Sequence, residues 1–510
     1  MGQEQADGGP SDAIVRAALV VGEPVGTAHP RLFGSFVEHL GRGVYGGIYE
    51  PGHACADEHG FRTDVLDLVR ELGVTVVRYP GGNFVSGYDW RDGVGPVANR
   101  PRRLDLAWKS IETNEFGTDE FIAWCRSAGV EPMLALNLGL GTVDGALDLL
   151  EYANFPGGTA LSDERAANGN AEPHAVNLWC LGNELDGPWQ LGHRSAEDYA
   201  VVAATAANAM RMFDDHLELV AVGSSSADMP TFGEWERTVL ARTVELVDYL
   251  SCHIYFYNDG DIAEFVRSSD KLHAFLTTIE TIVAQAVAAN PNARDVKISL
   301  DEWNVWNFRA YDELKPDRQF EVAPRILEEQ YTAVDAVVVG SLLQTILAHA
   351  NTVSIAALAQ LVNVIGPIRT EPGHAAWRQT TFFPFAATAR SAGLTVRTAD
   401  AGTPDVLATV TEAPDGSTRH VYLTNRSLTT AHELAVPFSS AVPFTGAAPH
   451  DVTAWVLHHE DPYAANTADA PETVVPTPLA VTIDGATLCV NLPPLSWAYI
   501  ELGHAKGSDG

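Results

Sequence analysis

Up to about Thr380, short apolar runs rich in β-branched residues alternate with longer amphipathic stretches, and this rhythm limits the chain more than any other feature. Parallel strands buried on both faces read as near-continuous apolar runs, and each needs a crossover, usually a helix, before the next. Eight such runs can be counted: Leu32–Glu38, Thr75–Tyr79, Glu131–Leu138, Ala175–Leu181, Leu217–Gly223, Tyr249–Tyr255, Val296–Asp301 and Thr352–Ala359. Between them, Asp64–Leu72 places Val65, Leu68, Val69 and Leu72 on one helical face. Glu197–Phe213 and Ala274–Ala289 are longer and Ala-rich, as good helix formers should be. Eight units in roughly 350 residues predict an α/β fold, a (β/α)8 TIM barrel. A doubly wound open sheet is the alternative, but no Gly-rich fingerprint opens the first unit.

After about Phe385 the texture changes to short strand-like runs separated by turn residues: Val406–Thr411, His420–Thr424, Glu433–Val436, Val452–Leu457, Ala480–Ile483 and Thr487–Leu492. Asp415–Gly416 and Asp484–Gly485 are hairpin signals. This part reads as a C-terminal antiparallel β-sandwich. Ile14–Val21 also has strand character and could join it. The expected division is therefore 1–27 as a tail and strand joining the sandwich, 28–383 as the barrel, and 384–510 as the sandwich.

Composition excludes several partners. With a net charge of −34 the surface repels phosphate backbones and anionic lipid, so neither nucleic acid nor a membrane surface is expected, while a neutral sugar is indifferent to it. The five cysteines are odd in number and widely spaced, which fits free thiols in a reducing cytoplasm rather than a disulfide framework or a zinc pattern. The start MGQEQADGGPSD lacks the basic-then-apolar pattern of a signal peptide, and no apolar stretch suggests a membrane span. The 17 histidines are scattered, with no HxH pair and no HExxH, so no metal is expected.

Barrel enzymes place reactive groups at the C-terminal ends of strands. The fourth run, NLWCLGNELDGPW, ends by exposing Asn183 and Glu184; the seventh, KISLDEWNVW, exposes Asp301 and Glu302. Strands four and seven face each other across a barrel mouth. Two carboxyls there, one protonated and one ionised, are what a retaining glycosidase needs on either side of a glycosidic bond. A single strand-end carboxylate more often caps a helix or sits in water. Asp301 is expected, from strand alternation, to point to the other face from Glu302. Glu115 and Asp119 suit a helix start and a surface.

WCLGNELDGPWQLGH and LDEWNVW together resemble the acid/base and nucleophile segments of the α-L-arabinofuranosidases of glycoside hydrolase family 51. So do RLFGSFVEHLGRGVYGGIYEPG, VRYPGGNFVSGYDWRDGVGP, NFPGGTALSDERAANG, LVDYLSCHIYFYN, LAQLVNVIGPI and the terminal LPPLSWAYIEL. The GNE triplet alone is shared by a whole clan of barrel glycosidases; the combination in this order is far more specific.

The resemblance implies an exo-acting, retaining enzyme that removes terminal α-L-arabinofuranosyl residues from arabinan- or arabinoxylan-derived oligosaccharides. It implies a barrel with a β-sandwich, no cofactor, and a homo-oligomer, often a hexamer. Glu184 resembles the acid/base and Glu302 the nucleophile. Asn183 resembles the residue that holds the sugar 2-hydroxyl, and Arg78 the one that keeps the nucleophile ionised. His253 and Tyr255 resemble the pair that orients the carboxylates; Glu38, Asn83 and Gln360 resemble the polar lining of the sugar pocket. Trp108 and Trp306 resemble aromatic walls for the leaving-group sugars. Gly81–Gly82 before Asn83 would allow a tight turn aiming that amide inward. A β-xylosidase, an endo-glucanase, a carbohydrate-binding protein and a metal-dependent hydrolase remain competing readings.

Overall fold

The computed structural model describes residues 15–307, 319–437, 451–484 and 487–503. All eight anticipated strands close one parallel barrel: β1 (Gly34–Phe36), β2 (Val76–Tyr79), β3 (Glu131–Ala135), β4 (Leu178–Cys180), β5 (Glu218–Ala221), β6 (Tyr249–Phe256), β7 (Lys297–Val305) and β8 (Val353–Leu358). β8 pairs with β1 to complete the ring. Val76, Met133, Ala135, Leu178, Cys180, Val220, Tyr249 and Ile355 fill its interior, so the barrel is a packed core and chemistry is confined to its ends.

The strands are buried along most of their length, as their apolar runs require, with half-buried residues such as Glu131, Glu218 and Lys297 where they begin. Helix Thr63–Leu72 buries Val65, Leu66, Leu68, Val69 and Leu72 and stops at Gly73 in the left-handed conformation, φ 79°. Helix Ser268–Ala289 starts six residues before the anticipated Ala274. By length and composition it could cross a membrane. Here Leu272, Phe275, Leu276, Ile279, Ile282 and Val283 face the core, as in an ordinary amphipathic barrel helix.

β7 departs from regular alternation. Ser251 of β6 pairs with Ser299, but His253 pairs with Glu302, so β7 has one residue more than its neighbour over this stretch. The bulge brings both Asp301 and Glu302 to the barrel interior, whereas plain alternation had turned Asp301 outward. Trp303 resumes the outward face in the surrounding core.

The second unit has two sheets. Thr395–Asp400, Val406–Glu412, Thr418–Asn425, Ser496–Gly503 and Asp451–Leu457 form most of the larger one; His432–Pro437, Thr487–Leu492 and Val481–Asp484 form the smaller. The N-terminal segment is two strands rather than one. Val15–Ala18 runs parallel to His432–Pro437, and Val20–Thr27 pairs with Thr395–Asp400 in the other sheet. The switch falls at Leu19, which is buried between the sheets. Gly416 makes the anticipated turn at φ 70°; Gly485 of the second hairpin signal and Ile14 lie outside the described residues.

Helix Ala333–Ala348 joins the two units and is buried on all sides. Gly340 lets it approach the sandwich: a Cβ there would lie 2.3 Å from the Trp497 ring. Gln344 Nε2 donates to the Tyr422 carbonyl at 2.9 Å.

Candidate active site

At the C-terminal mouth, β2, β4, β6 and β7 bring Arg78, Asn183, Glu184, His253, Tyr255 and Glu302 together. Arg78 Nη1 donates to Glu302 Oε1 at 2.9 Å, and Tyr255 Oη donates to Glu302 Oε2 at 2.7 Å. The other arm of Arg78 donates to Asn183 Oδ1, and Asn183 Nδ2 donates to Asn83 Oδ1 at 3.4 Å. His253 Nδ1 lies 2.9 Å from Glu184 Oε1 and 3.6 Å from Glu302 Oε2, and its Nε2 lies 3.1 Å from Asp301 Oδ1. One carboxylate oxygen of Glu184 and one of Glu302 lie within 4.8 Å of each other.

Glu184 has a left-handed backbone, φ 44°, just beyond Gly182 at φ 111°. A non-glycine residue in that region stores about 1–3 kcal/mol of strain, which the surrounding fold must hold. Here the Gly187 amide donates to the Glu184 carbonyl at 2.9 Å, and Leu185 is fully buried. The turn aims the side chain at the mouth. Oε2 accepts from Trp189 Nε1 at 2.8 Å.

Glu38, at the end of β1, forms the second half of the pocket. Its Oε1 accepts from the Phe84 amide and from Trp108 Nε1, both at 2.8 Å, and its Oε2 accepts from Gln360 Nε2 at 3.0 Å. Gly81 and Gly82 serve close approach. A Cβ on Gly81 would lie 2.2 Å from Glu38 Cγ, and one on Gly82 would lie 3.0 Å from Glu302 Oε1. Trp108 is therefore buried against Glu38, and Trp306 packs edge-on to Tyr255 with centroids 5.1 Å apart.

The electrostatics follow from crowding. Burial pushes Glu38 up to about 8, with hydrogen bonds opposing and the nearby charge of Glu302 adding. Burial also raises Glu302; the Glu184 charge adds to this, while His253 and Arg78 oppose it. His253 moves the other way from an ordinary buried histidine. Burial disfavours its charge, but Glu302, Asp301 and Glu184 outweigh that and raise it well above its usual value. Arg78 stays firmly protonated for the same reason: Asp301, Cys180 and Glu302 outweigh burial.

Among the described residues, Glu184, His253 and Glu302 are close enough to share a metal ion, as are His53, Cys55 and Asp64. In the first group the donors are already engaged by Arg78, Tyr255, Trp189 and Asp301. In the second, both Asp64 oxygens accept from Arg62. Two further neighbours of the carboxylates are Trp189, which the sequence reading does not single out, and Asp301, which it places on the other face. Trp189 lay unremarked in GNELDGPW, where its five-residue spacing from Glu184 was the signal. Asp301 needed the bulge.

Residues 68–274 match the model of the alpha-L-arabinofuranosidase 1 domain, and residues 301–496 match that of the alpha-L-arabinofuranosidase C-terminal domain. An intracellular exo-alpha-(1->5)-L-arabinofuranosidase of Bifidobacterium longum is 47% identical over 94% of this chain and 90% of its own length. An exo-alpha-(1->6)-L-arabinofuranosidase of the same organism is 48% identical over 94% of this chain and 95% of its own. The solved structure of a family 51 alpha-L-arabinofuranosidase from Bifidobacterium longum superposes with a TM-score of 0.90 at 46% identity, covering 95% of this chain and 99% of that one. With both halves matched and nearly the whole length shared, the chain belongs to the α-L-arabinofuranosidases of glycoside hydrolase family 51.

Proposed function

We infer that this chain is an exo-acting, retaining α-L-arabinofuranosidase in which Glu184 is the acid/base and Glu302 the nucleophile. The observation that carries the mechanism is the approach of the two carboxylates to within 4.8 Å at their nearest oxygens. Retaining enzymes hold their carboxyls about 5–5.5 Å apart, whereas inverting ones need about 6.5–9.5 Å to admit a water between.

Charge balance divides the roles. Two cations, Arg78 and His253, sit among Asp301, Glu302, Glu184 and Glu38. Burial raises Glu38, which favours its neutral form. Glu302 is the carboxyl held by Arg78, and Asp301 lies on the far nitrogen of His253, so Glu184, which has no arginine partner among the described residues, takes the acid/base role. Glu302 accepts from Arg78 and Tyr255, which favours its ionised form.

In the first step Glu184 gives its proton to the glycosidic oxygen as Glu302 attacks the anomeric carbon. The bond to the leaving group breaks and a glycosyl ester forms on Glu302. Esterification removes the Glu302 charge, so Glu184 can now stay ionised. It takes a proton from water, whose oxygen attacks the same carbon and releases arabinose with its original configuration. Asn183, Asn83, Gln360 and Glu38 suit the hydroxyls of a furanose, which project on several sides. The substrate is an arabinofuranosyl oligo- or polysaccharide fragment. The chain acts in the cytoplasm, as the intracellular names of relatives suggest, and as a homo-oligomer, which light scattering on the purified protein tests.

The test is hydrolysis of nitrophenyl α-L-arabinofuranoside, β-D-xyloside and β-D-glucoside, with the product anomer followed by NMR. Turnover of the arabinofuranoside with the α anomer appearing first is expected. Glu184→Ala should keep activity on substrates with very good leaving groups and lose it on poor ones. Equal losses on both would sink the acid/base assignment, and preference for the xyloside would overturn the substrate.

A further inference from the structure

We propose that Asp186 is a positioning residue for the acid/base: its two bonds to Ser225 close a ring of contacts that holds Glu184 in its strained turn and its carboxyl against His253; this rests on the reading of Glu184 above. The ring can be followed bond by bond. Asp186 stands two residues beyond Glu184 and is buried. Its Oδ2 accepts from the Ser225 amide and from Ser225 Oγ, both at 3.0 Å. The neighbouring Ser224 carbonyl accepts from the His253 amide at 3.1 Å. The His253 side chain then returns to Glu184, with Nδ1 2.9 Å from Oε1. The turn and the carboxyl of Glu184 are thus tied to β6 by separate routes, and Asp186 is the side chain that links the turn to the loop after β5. That loop is itself fixed. The Ser224 amide donates to Glu236 Oε1 at 2.8 Å, and the Gly233 amide donates to Glu236 Oε2 at 2.7 Å, on a fully buried glutamate.

The turn needs such a clamp. Glu184 has φ 44°, a conformation that a glutamate keeps only when its surroundings hold it there. The Gly187 amide closes the turn onto the Glu184 carbonyl, but that bond moves with the turn and fixes it to nothing outside. Without Asp186 the strain can relax by swinging the Glu184 side chain away from His253 and from the glycosidic oxygen, and a small misplacement of a proton donor is expensive. Asp186 is also costly to keep. Its Oδ1 is buried with no hydrogen-bond partner among the described residues. Burial, helped by the Glu184 charge, pushes the group up to about 6 against the bonds from Ser225 and the charge of His253. A residue that only filled space here could be apolar and avoid that cost. A clamp needs one well-aimed acceptor, and Oδ2 is that acceptor.

The experiment reads kcat/KM on α-(1→5)-arabinobiose, whose leaving group needs the acid, and on α-L-arabinofuranosyl fluoride, whose leaving group does not. For Asp186→Ala the ratio of the first to the second should fall at least about tenfold, because only the acid-dependent substrate suffers from a misplaced Glu184. Asp186→Asn removes the charge but keeps the oxygen that Ser225 binds, and should recover most of the ratio. Ser225→Ala removes one of the two bonds and should lower the ratio about threefold. If Asp186→Ala is not obtained folded, Ser225→Ala decides alone. An unchanged ratio, equal losses on both substrates, or no recovery with asparagine overturns the proposal. Glu184→Ala is the control: if it lowers both substrates equally, or if the wild type cleaves neither, the reading of Glu184 fails instead.

Discussion

The two ends of strand β6 use the same residue types to opposite ends. At the floor, Tyr249 begins the strand and donates to Glu218; at the mouth, Tyr255 near its end donates to Glu302. Each glutamate also meets one arginine. At the floor Arg31 makes two bonds to Glu131, both 2.6 Å, and two to Glu218, at 2.7 and 2.8 Å, while Asn177 adds a further donor to Glu218. Burial would raise Glu218, but the bonds to Arg31 and Tyr249 outweigh it and hold it down to about 2. At the mouth Arg78 gives Glu302 a single bond and spends its other arm on Asn183. Four buried carboxyls crowd there, and burial with mutual repulsion raises Glu302 and Glu38. Burial and the arginine's reach separate a structural ion pair from a reactive one: the half-exposed floor glutamates each take two bonds from Arg31, while buried Glu302 takes one from Arg78.

If that contrast is right, removing charge has opposite effects at the two ends. Glu302→Gln should abolish turnover by at least about 10⁴-fold, about 5 kcal/mol of barrier, because it removes the proposed nucleophile. It should also raise Tm by about 1–3 °C at pH 7, since it removes a carboxylate ionised at a cost. Calorimetry beside an activity assay reads both, and a lowered Tm would break the comparison at the mouth. Arg31→Met should do the reverse. It strips two carboxylates of their shared cation and should cost about 3–5 kcal/mol of stability, with kcat within about twofold of wild type. A folded Arg31→Met enzyme that had lost turnover would show that the floor is not merely structural.

The same contrast explains what the sequence disclosed. All eight barrel strands were legible because strands buried on both faces leave apolar runs, and Glu184 and Glu302 were legible because each ends such a run. Arg31, Glu131 and Glu218 were passed over. Glu131, Glu218 and Tyr249 each open a strand, and that recurrence was the available signal, but only closure of the barrel brings them to one guanidinium. Asp301 was misdirected because period-two reading assumes an unbroken ladder, and a one-residue bulge cannot be counted from one strand alone. The N-terminal run read as one strand because its apolar pattern continues through Leu19, where the chain changes sheets.

Asp301 sharpens the account of the mouth. It holds Nε2 of His253 while Nδ1 faces Glu184, so it keeps that imidazole charged and oriented without touching substrate. Asp301→Asn should lower kcat on arabino-oligosaccharides by about 10–100-fold and on a nitrophenyl substrate by far less, because a better leaving group needs less help from the acid. Equal losses on both would make Asp301 a plain packing residue.

The smallest effect is on stability against pH, and it reads both ends in one experiment. Glu218 is held down to about 2 from an ordinary value of 4.5, so the folded state releases its proton more readily than the unfolded chain. Its contribution is complete above about pH 4.5 and is lost as pH falls toward 2. Glu38 is pushed up to about 8, so between about pH 4.5 and 8 the folded state keeps a proton that the unfolded chain has released. Stability therefore declines as pH rises through that window. In thermal unfolding measured from pH 3 to 9, Glu218→Gln should flatten the acid side of the Tm curve and Glu38→Gln the neutral-to-alkaline side. Were Glu38→Gln to leave the alkaline slope untouched, Glu38 would be ionised in the folded protein, and the pocket would carry one more negative charge against Arg78 and His253.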